Sequence, residues 1–350
     1  MKNRKVSIAL FLALLVVIGS LSGCGKQSEK ATANSDKAAN VDSQRSNTNG
    51  LVIRVADFPT AVWNDQLKIA VKNGYFKEEF AKDNISVEVK EFANGPAVNE
   101  AFTAKKLDFV TGIGDQPLLT GIANGLNLRV LSAISIQEKT IGLLVPVGSK
   151  VKQVEELKGK KIGVYIGTFY HKSLLRVLKD HGLTEADVEL VNLSNGNDGL
   201  AALNNGNVDA YLANEPFVTN AVDNGIGRQI IDITGHPAIT FAVAQSEFTK
   251  NYPEITKKFL KVLNKAHKWS LENPEKAYEL LAGATNLKTS QVKSINERTD
   301  RSLGLSKEVA SQIQDTYVFL IEQKLIRNKL NIADYIDTSF IEKVFKEEGK

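Results

Sequence analysis

The sequence predicts an α/β protein of two lobes joined by a two-strand hinge, and three observations carry that prediction. Short β-rich runs alternate with amphipathic helical stretches from Leu51 onward, the pattern of strand–loop–helix units with parallel strands. The run TIGLLV at 140–145 is echoed by ITFAVA at 239–244, so two single-strand passages bracket one compact stretch. AFTAKKLDFVTGIGDQP at 101–117 is echoed by ALNNGNVDAYLANEP at 202–216; both set out an aliphatic residue, an Asp, a strand, an acidic residue and a Pro in the same order, which favours two similar lobes facing each other. A chain of 350 residues is long enough for two domains with sizeable cores.

The chain opens with Lys2, Arg4 and Lys5 before an apolar run from Ile8 to Ile18. A membrane-crossing helix needs about 20 apolar residues, so this run is read as the hydrophobic region of a secretory signal. Its ending, LSGC at 21–24, resembles the lipobox of bacterial lipoproteins. That implies a leader of residues 1–23 and a lipid anchor on Cys24; the alternative is an ordinary cleaved signal beside a chance cysteine. Cys24 is the only cysteine, which excludes an intramolecular disulfide and a catalytic thiol in the body. Residues 24–49 lack aromatic and almost all large aliphatic side chains, so they are expected to form a disordered tether reaching roughly 25 to 30 Å. The 44 basic and 40 acidic residues leave a net charge of +4, and the leader carries three of those four charges. Bulk charge therefore gives no support for a nucleic-acid partner.

The first lobe, 50–142 and 240–350, begins with the strand LVIRVA (51–56) and a helix stopped by Asn73 and Gly74, a C-cap pair. Further strands are ISVEVKEF (85–92), LDFVTG (107–112) and LNLRVLSAIS (126–135). The second lobe, 143–239, repeats the scheme with KKIGVYIG (160–167), a helix from Tyr170 to His181 ended by Gly182, then VELVNL (188–193) and NVDAYLA (207–213). Everything after Tyr252 has a helical pattern.

In open parallel sheets ligands bind beyond the carboxyl ends of the strands, where helices begin with unpartnered N–H groups. Five loops take that position: 58–61, 94–96, 114–117, 167–171 and 214–217. Pro96, Pro117 and Pro216 are expected at first helical positions, where a missing donor costs nothing. Such helix starts hold about half a positive charge, enough for a sulfonate, carboxylate or other oxyanion without a lysine. Thr60, Asn94, Gly95, Gln116, Thr168 and His171 are the candidate donors, each with simple capping or loop geometry as its alternative. Asp115 and Glu215 would repel an anion, so they either cap their own helices or receive a cationic group at the ligand's other end. Trp63, Phe92, Phe169, Tyr170, Tyr211 and Phe217 could sandwich an alkyl or aromatic body or belong to the core.

Three stretches, 94–135, 154–193 and 200–218, resemble the substrate-binding proteins of the nitrate, sulfonate and taurine class of ABC importers, most nearly the aliphatic-sulfonate-binding members, and the likeness extends over nearly all of 51–350. The resemblance implies a periplasmic-binding-protein-like fold of type II, whose two lobes close over a small organic anion and whose closed form docks on a membrane permease. It implies ligand contacts at Pro59, Thr60 and Ala61, at Gly95 and Pro96, at Gly114, Asp115 and Gln116, at Thr168 and His171, and at Glu215. It departs where two small hydroxyl residues are usual and this chain has Thr168 and Phe169, and where an aromatic and Asp are usual and it has Asn214 and Glu215. Those departures reshape the pocket and leave open a different sulfonate or another anion.

No GxSxG, GxxxxGK[ST], strand-borne GxGxxG or HExxH occurs. His171, His181, His236 and His267 are dispersed, so neither a metal site nor a cofactor is expected. The expected role is an extracytoplasmic, lipid-anchored, monomeric solute-binding protein rather than an enzyme, with a small organic anion and an ABC permease as partners. The alternatives are a ligand-sensing lipoprotein, a binder of nitrate or of a thiamine-pyrimidine precursor, and an enzyme of the same bilobed architecture.

Overall fold

The computed structural model describes residues 48–232 and 237–349, the Asp232 side chain excepted. The leader, Cys24, the tether up to residue 47 and His236 lie outside the described residues.

The strands are β1 (Val52–Asp57), β2 (Ser86–Glu91), β3 (Phe109–Gly114), β4 (Leu128–Gln137), β5 (Ile141–Pro146), β6 (Lys161–Val164), β7 (Glu189–Asn192), β8 (Ala210–Asn214), β9 (Gly227–Asp232), β10 (Ala238–Gln245) and β11 (Thr299–Asp300). They form two sheets, ordered β11-β4-β10-β3-β1-β2 and β7-β6-β8-β5-β9. Apart from β11 the two orders correspond strand for strand, so each lobe is built on the same plan. The chain passes between the sheets from β4 to β5 and from β9 to β10, which makes the two-strand hinge.

The internal echo has a physical counterpart at Asp108 and Asp209. Asp108 Oδ2 accepts from Arg54 N at 2.8 Å, and Asp209 Oδ2 accepts from Lys161 N at 2.9 Å. Their own N–H groups donate to Arg54 O and Lys161 O, each at 2.8 Å. In both lobes, then, an Asp at the foot of the third strand locks that strand to the first.

The expectation of parallel strands holds for β1 with β2 and β3, and for β6 with β7 and β8. It fails for the hinge strands: β10 runs antiparallel to β3 and β4, and β5 runs antiparallel to β8 and β9. A parallel pair requires a crossover connection, whereas a strand that runs on into the other sheet returns from it in the opposite direction.

Helix ends follow local chemistry. The helix Asp65–Lys72 stops at Asn73, and Gly74 follows with φ +72°, a conformation that favours glycine. The prolines sit later or earlier than expected: Pro96 is second in the helix Gly95–Thr103, Pro117 is third in Asp115–Ala123, and Pro216 is the N-cap of Phe217–Asp223. The first two positions fall among the four N–H groups that lack helical partners, so the missing donor is harmless there as well.

The long helix Pro253–Glu272 buries Ile255, Phe259, Leu260, Leu263 and Ala266, an i, i+4 stripe facing the first sheet. Phe259 stacks on Phe109 at 4.2 Å and on Phe76 at 5.2 Å between ring centroids. His267 is buried on this same helix. Two clusters cover the faces of the first sheet and two more, around Leu143 and Tyr211, cover those of the second.

Candidate ligand-binding cleft

The carboxyl ends of β1, β2 and β3 meet those of β6, β7 and β8 around one cavity of about 280 Å³. From the first lobe the loop after β1 supplies Phe58, Pro59, Thr60 and Trp63; the loop after β2 supplies Asn94 and Gly95; β3 and its helix supply Gly112, Gly114 and Pro117. From the second, Thr168, Phe169 and Tyr170 follow β6, Asn195, Gly196 and Asn197 follow β7, and Asn214 and Phe217 follow β8. Gln137, Ile239 and Thr240 close the hinge side.

Two of these loops are near copies. Asn94 has φ −160° and ψ 171°, and its Oδ1 accepts from Ala97 N at 3.1 Å. Asn195 has φ −159° and ψ 174°, and its Oδ1 accepts from Asp198 N at 3.0 Å. Each caps a helix of nine residues, Gly95–Thr103 and Gly196–Asn204. One side-chain cap satisfies one of the four initial N–H groups; before it, Pro96 has no N–H, so Gly95 N in the first lobe and Gly196 N and Asn197 N in the second are without a helical partner, and all three residues line the cavity. The glycine after each Asn is required by packing: a Cβ on Gly95 would lie 2.5 Å from Pro117 Cβ, and one on Gly196 would lie 2.0 Å from the Phe217 ring. Each close approach fixes a helix start within its own lobe, and both positive ends border the one cavity.

Five of the eleven residues expected at the ligand line the cavity: Pro59, Thr60, Gly95, Gly114 and Thr168. The Thr168 hydroxyl donates to Tyr165 O at 2.7 Å and accepts from Tyr170 N at 3.2 Å, so its side chain serves as a helix cap. The other six are outside the lining. Ala61 is buried in a turn, its N–H donating to Phe58 O at 3.0 Å. Pro96 sits at the seam between the lobes beside Gly167. Asp115 Oδ1 accepts from Gln116 N at 2.7 Å, while Oδ2 meets Lys172 Nζ and accepts from Thr316 Oγ1 at 2.6 Å. Gln116 Oε1 accepts from Lys172 N at 3.0 Å. His171 is buried with both ring nitrogens lacking hydrogen-bond partners; its Nε2 lies 4.0 Å from Glu185 Oε1, and burial pushes its pKa below the ordinary value. Glu215 accepts from Thr219 N at 3.1 Å, Thr219 Oγ1 at 3.0 Å and Arg298 Nη2 at 3.1 Å.

The electrostatic conflict read from the sequence thus has a local resolution. Asp115 and Glu215 are engaged by Lys172 and Arg298 and by the starts of their own helices. Among the described residues, no charged side chain lines the cavity. Of the six aromatics considered, Trp63, Phe169, Tyr170 and Phe217 line it, joined by Phe58 and Tyr165; Phe92 and Tyr211 do not. The Tyr211 hydroxyl pairs behind the wall with that of Tyr165. Burial pushes the phenol pKa values of Tyr165, Tyr170 and Tyr211 upward, so they stay neutral.

Residues 66–277 match the family model described as NMT1/THI5 like. The chain belongs to the NMT1/THI5-like family. A Bacillus subtilis (strain 168) relative named for aliphatic sulfonate binding is 28% identical over 341 residues, covering 97% of each chain. The alkanesulfonate-binding protein SsuA from Xanthomonas axonopodis pv. citri, whose structure is described as bound to MOPS, superposes with a TM-score of 0.75 over 83% of this chain and 99% of that one, at 24% identity. That likeness shows the bilobed periplasmic-binding-protein fold. The family also reaches a Saccharomyces cerevisiae 4-amino-5-hydroxymethyl-2-methylpyrimidine phosphate synthase, THI13, 26% identical over 234 residues and covering 60% of this chain and 64% of that protein.

In this NMT1/THI5-like chain the lobes also touch outside the cavity. Lys172, on the helix Phe169–Asp180 of the second lobe, is 2% exposed and reaches Asp115 at a helix start of the first. Thr316 joins them from the helix Lys307–Glu322, its hydroxyl also accepting from Lys172 Nζ at 2.9 Å. On another side Gln291 Nε2 donates to Asn220 Oδ1 at 2.7 Å.

Proposed function

We propose that the chain is the solute-binding component of an ABC importer and captures a small organic anion of the sulfonate class between its lobes. One observation carries this reading: the paired helix starts Asn94-Gly95 and Asn195-Gly196 come from opposite lobes and border one cavity with no charged lining among the described residues. An anion there gains hydrogen bonds from fixed amides and two favourable helix ends, while the absence of a fixed negative charge removes repulsion. Full-length similarity to a relative named for aliphatic sulfonate binding supports the choice of headgroup. In this reading one lobe binds first, the amides of the other complete the shell, and the population shifts to the closed form, which the permease accepts. Pro59, Thr60, Gly95, Gly114 and Thr168 remain the ligand contacts of the proposal, joined by Asn195, Gly196 and Asn197.

Residues 50–142 and 240–350 would form the lobe that carries the first sheet, and 143–239 the lobe that carries the second. Cys24, acylated after loss of the leader, would hold the protein at the outer face of the cytoplasmic membrane or in the periplasm. Incorporation of labelled fatty acid, lost in Cys24→Ser, tests that anchor.

The yeast synthase similarity favours one second reading, a pyrimidine ligand or an enzyme of the same architecture. Thermal unfolding with ethanesulfonate, nitrate and 4-amino-5-hydroxymethyl-2-methylpyrimidine separates the two. Ligand at a hundredfold excess over Kd stabilises by about 2.7 kcal/mol, so a sulfonate is expected to raise Tm. A shift with the pyrimidine and none with any sulfonate overturns the proposal in favour of the second reading.

A further inference from the structure

The end of the first lobe opposite the cleft has a charge pattern of its own. The starts of β1, β3 and β4 lie there, with the turns that follow the helices Gly95–Thr103 and Asp115–Ala123 on their return from the cleft. Lys105 and Lys106 occupy the turn before β3, and Lys105 O accepts from Arg54 Nη1 at 2.7 Å. Arg129 is the second residue of β4. The loop after the helix Lys307–Glu322 carries Lys324, Arg327 and Lys329, and it closes under the same helix ends, Asn328 Nδ2 donating to Ala123 O at 2.6 Å. Arg129 is half-buried and the other five cations are exposed.

Among the described residues none of these six pairs with a carboxylate, whereas Lys258, Lys261, Lys265 and Lys268 on the helix Pro253–Glu272 each meet one. Of the carboxylates at this end, Asp108 is taken by Arg54 and Glu322 by Lys179, while Glu247 and Asp334 are exposed and offset part of the charge. With the leader's three charges taken from the net +4, the rest of the chain is near neutral, so the surplus at this end is a segregation of charge and not a share of a general excess. Cations are favoured beside helix C-termini, which accounts for Lys105 and Lys324; it does not account for Arg129 in a strand, or for Arg327 and Lys329 beyond the last turn. The described chain also enters here: Leu51 N donates to Thr48 O at 3.0 Å, and β1 starts at Val52. The segment that leads back to Cys24 therefore joins the body on this face.

We propose, resting on the Cys24 anchor reading above, that this face lies on the membrane and that its six cations contact anionic phospholipid headgroups. A tether of roughly 25 to 30 Å keeps the face within reach of the headgroups, so a contact too weak to hold a free protein suffices for one already confined there. The lipid's surface potential acts within a Debye length, about 8 Å at physiological ionic strength, so these cations count and those of the far lobe do not. The first lobe then rests on the lipid, and the second stays free to move about the hinge.

Co-sedimentation of the mature-length chain, residues 24–350 with Cys24→Ser so that no acyl chain contributes, tests this with vesicles of phosphatidylcholine alone or mixed equally with phosphatidylglycerol. Binding is expected only to the mixed vesicles and should be lost as salt is raised. Each Lys or Arg near an anionic surface contributes about fivefold, so Lys324→Glu/Lys329→Glu should weaken binding at least about 25-fold. Lys150→Glu/Lys152→Glu makes the same charge change on exposed lysines of the second lobe and should leave binding nearly unaltered. Thermal melts of both variants are expected to match the parent. Equal binding to the two vesicle types, no binding to the mixed ones, or equal loss in the two variants overturns the proposal and leaves the anchor standing. The anchor is read separately: absence of fatty-acid incorporation at Cys24 removes the reading on which the proposal rests.

Discussion

Removing the Lys172 side chain charge tests how the two lobes are held together. In Lys172→Met the Asp115 carboxylate loses its ammonium partner but keeps Thr316 Oγ1 at 2.6 Å and Gln116 N at 2.7 Å. Breaking a buried ion pair by removing one partner costs about 3 to 5 kcal/mol, and the two surviving hydrogen bonds put this case near 3. The pair joins a helix of one lobe to a helix start of the other, so its loss falls on closure more than on the folding of either lobe. A closure penalty of about 3 kcal/mol weakens ligand affinity by about a hundredfold. The loss of the buried Lys172 ammonium over the Phe169 ring is part of that penalty, a desolvated cation over a ring being worth about 2 kcal/mol. Adding Asp115→Asn should restore part of the affinity, because a neutral pair replaces an uncompensated buried charge. Calorimetric titration with a sulfonate, alongside thermal unfolding without ligand, reads both quantities. Unchanged affinity with a lowered Tm would refute the reasoning, since the pair would then belong equally to the open and closed forms.

Three further outcomes follow from particular contacts. Gly196→Ala drives a Cβ into the Phe217 ring, and overpacking of this kind costs about 1 to 3 kcal/mol; the ring is expected to turn into the cavity, so a titration should show weakened binding of sulfonates and a thermal melt a Tm lowered by several degrees. Asn195→Ala removes the cap on Asp198 N at about 1 kcal/mol, and a thermal melt with a parallel titration should show both stability and affinity reduced. His171 has its folded pKa below the ordinary 6.5 because burial disfavours the imidazolium, so the unfolded chain binds more protons in that window. Stability should therefore decline as pH falls through 6.5 toward the folded value, and His171→Leu should flatten the Tm profile there; an unaltered profile would contradict the assignment.

The sequence makes the strands of both lobes legible because the β-rich runs at 51–56, 85–92, 160–167 and 207–213 are bounded by turn residues. Strand direction is a different matter. Nothing local distinguishes the hinge strand β10 from a parallel neighbour, since its antiparallel sense comes from the passage between sheets. The edge strand β9 is hidden by Arg228 and Gln229, polar residues suited to a sheet edge. At the site, five loops were visible and a sixth, Ser194 to Asp198, was missed although its signal is present. Asn94-Gly95 recurs as Asn195-Gly196 at the same interval that separates Asp108 from Asp209. The fates of Asp115 and Glu215 were illegible for a physical reason: their partners Lys172, Thr316 and Arg298 are far along the chain and reach them only through the tertiary fold.

The convergence of two capped helix starts on one anion is tested most directly by following the backbone amides of Gly95 and Gly196 in glycine-labelled protein by NMR as benzenesulfonate is added. Both resonances should move together along one saturation curve, because one headgroup engages both lobes. Movement of one amide without the other, or of neither at saturating ligand, would contradict it.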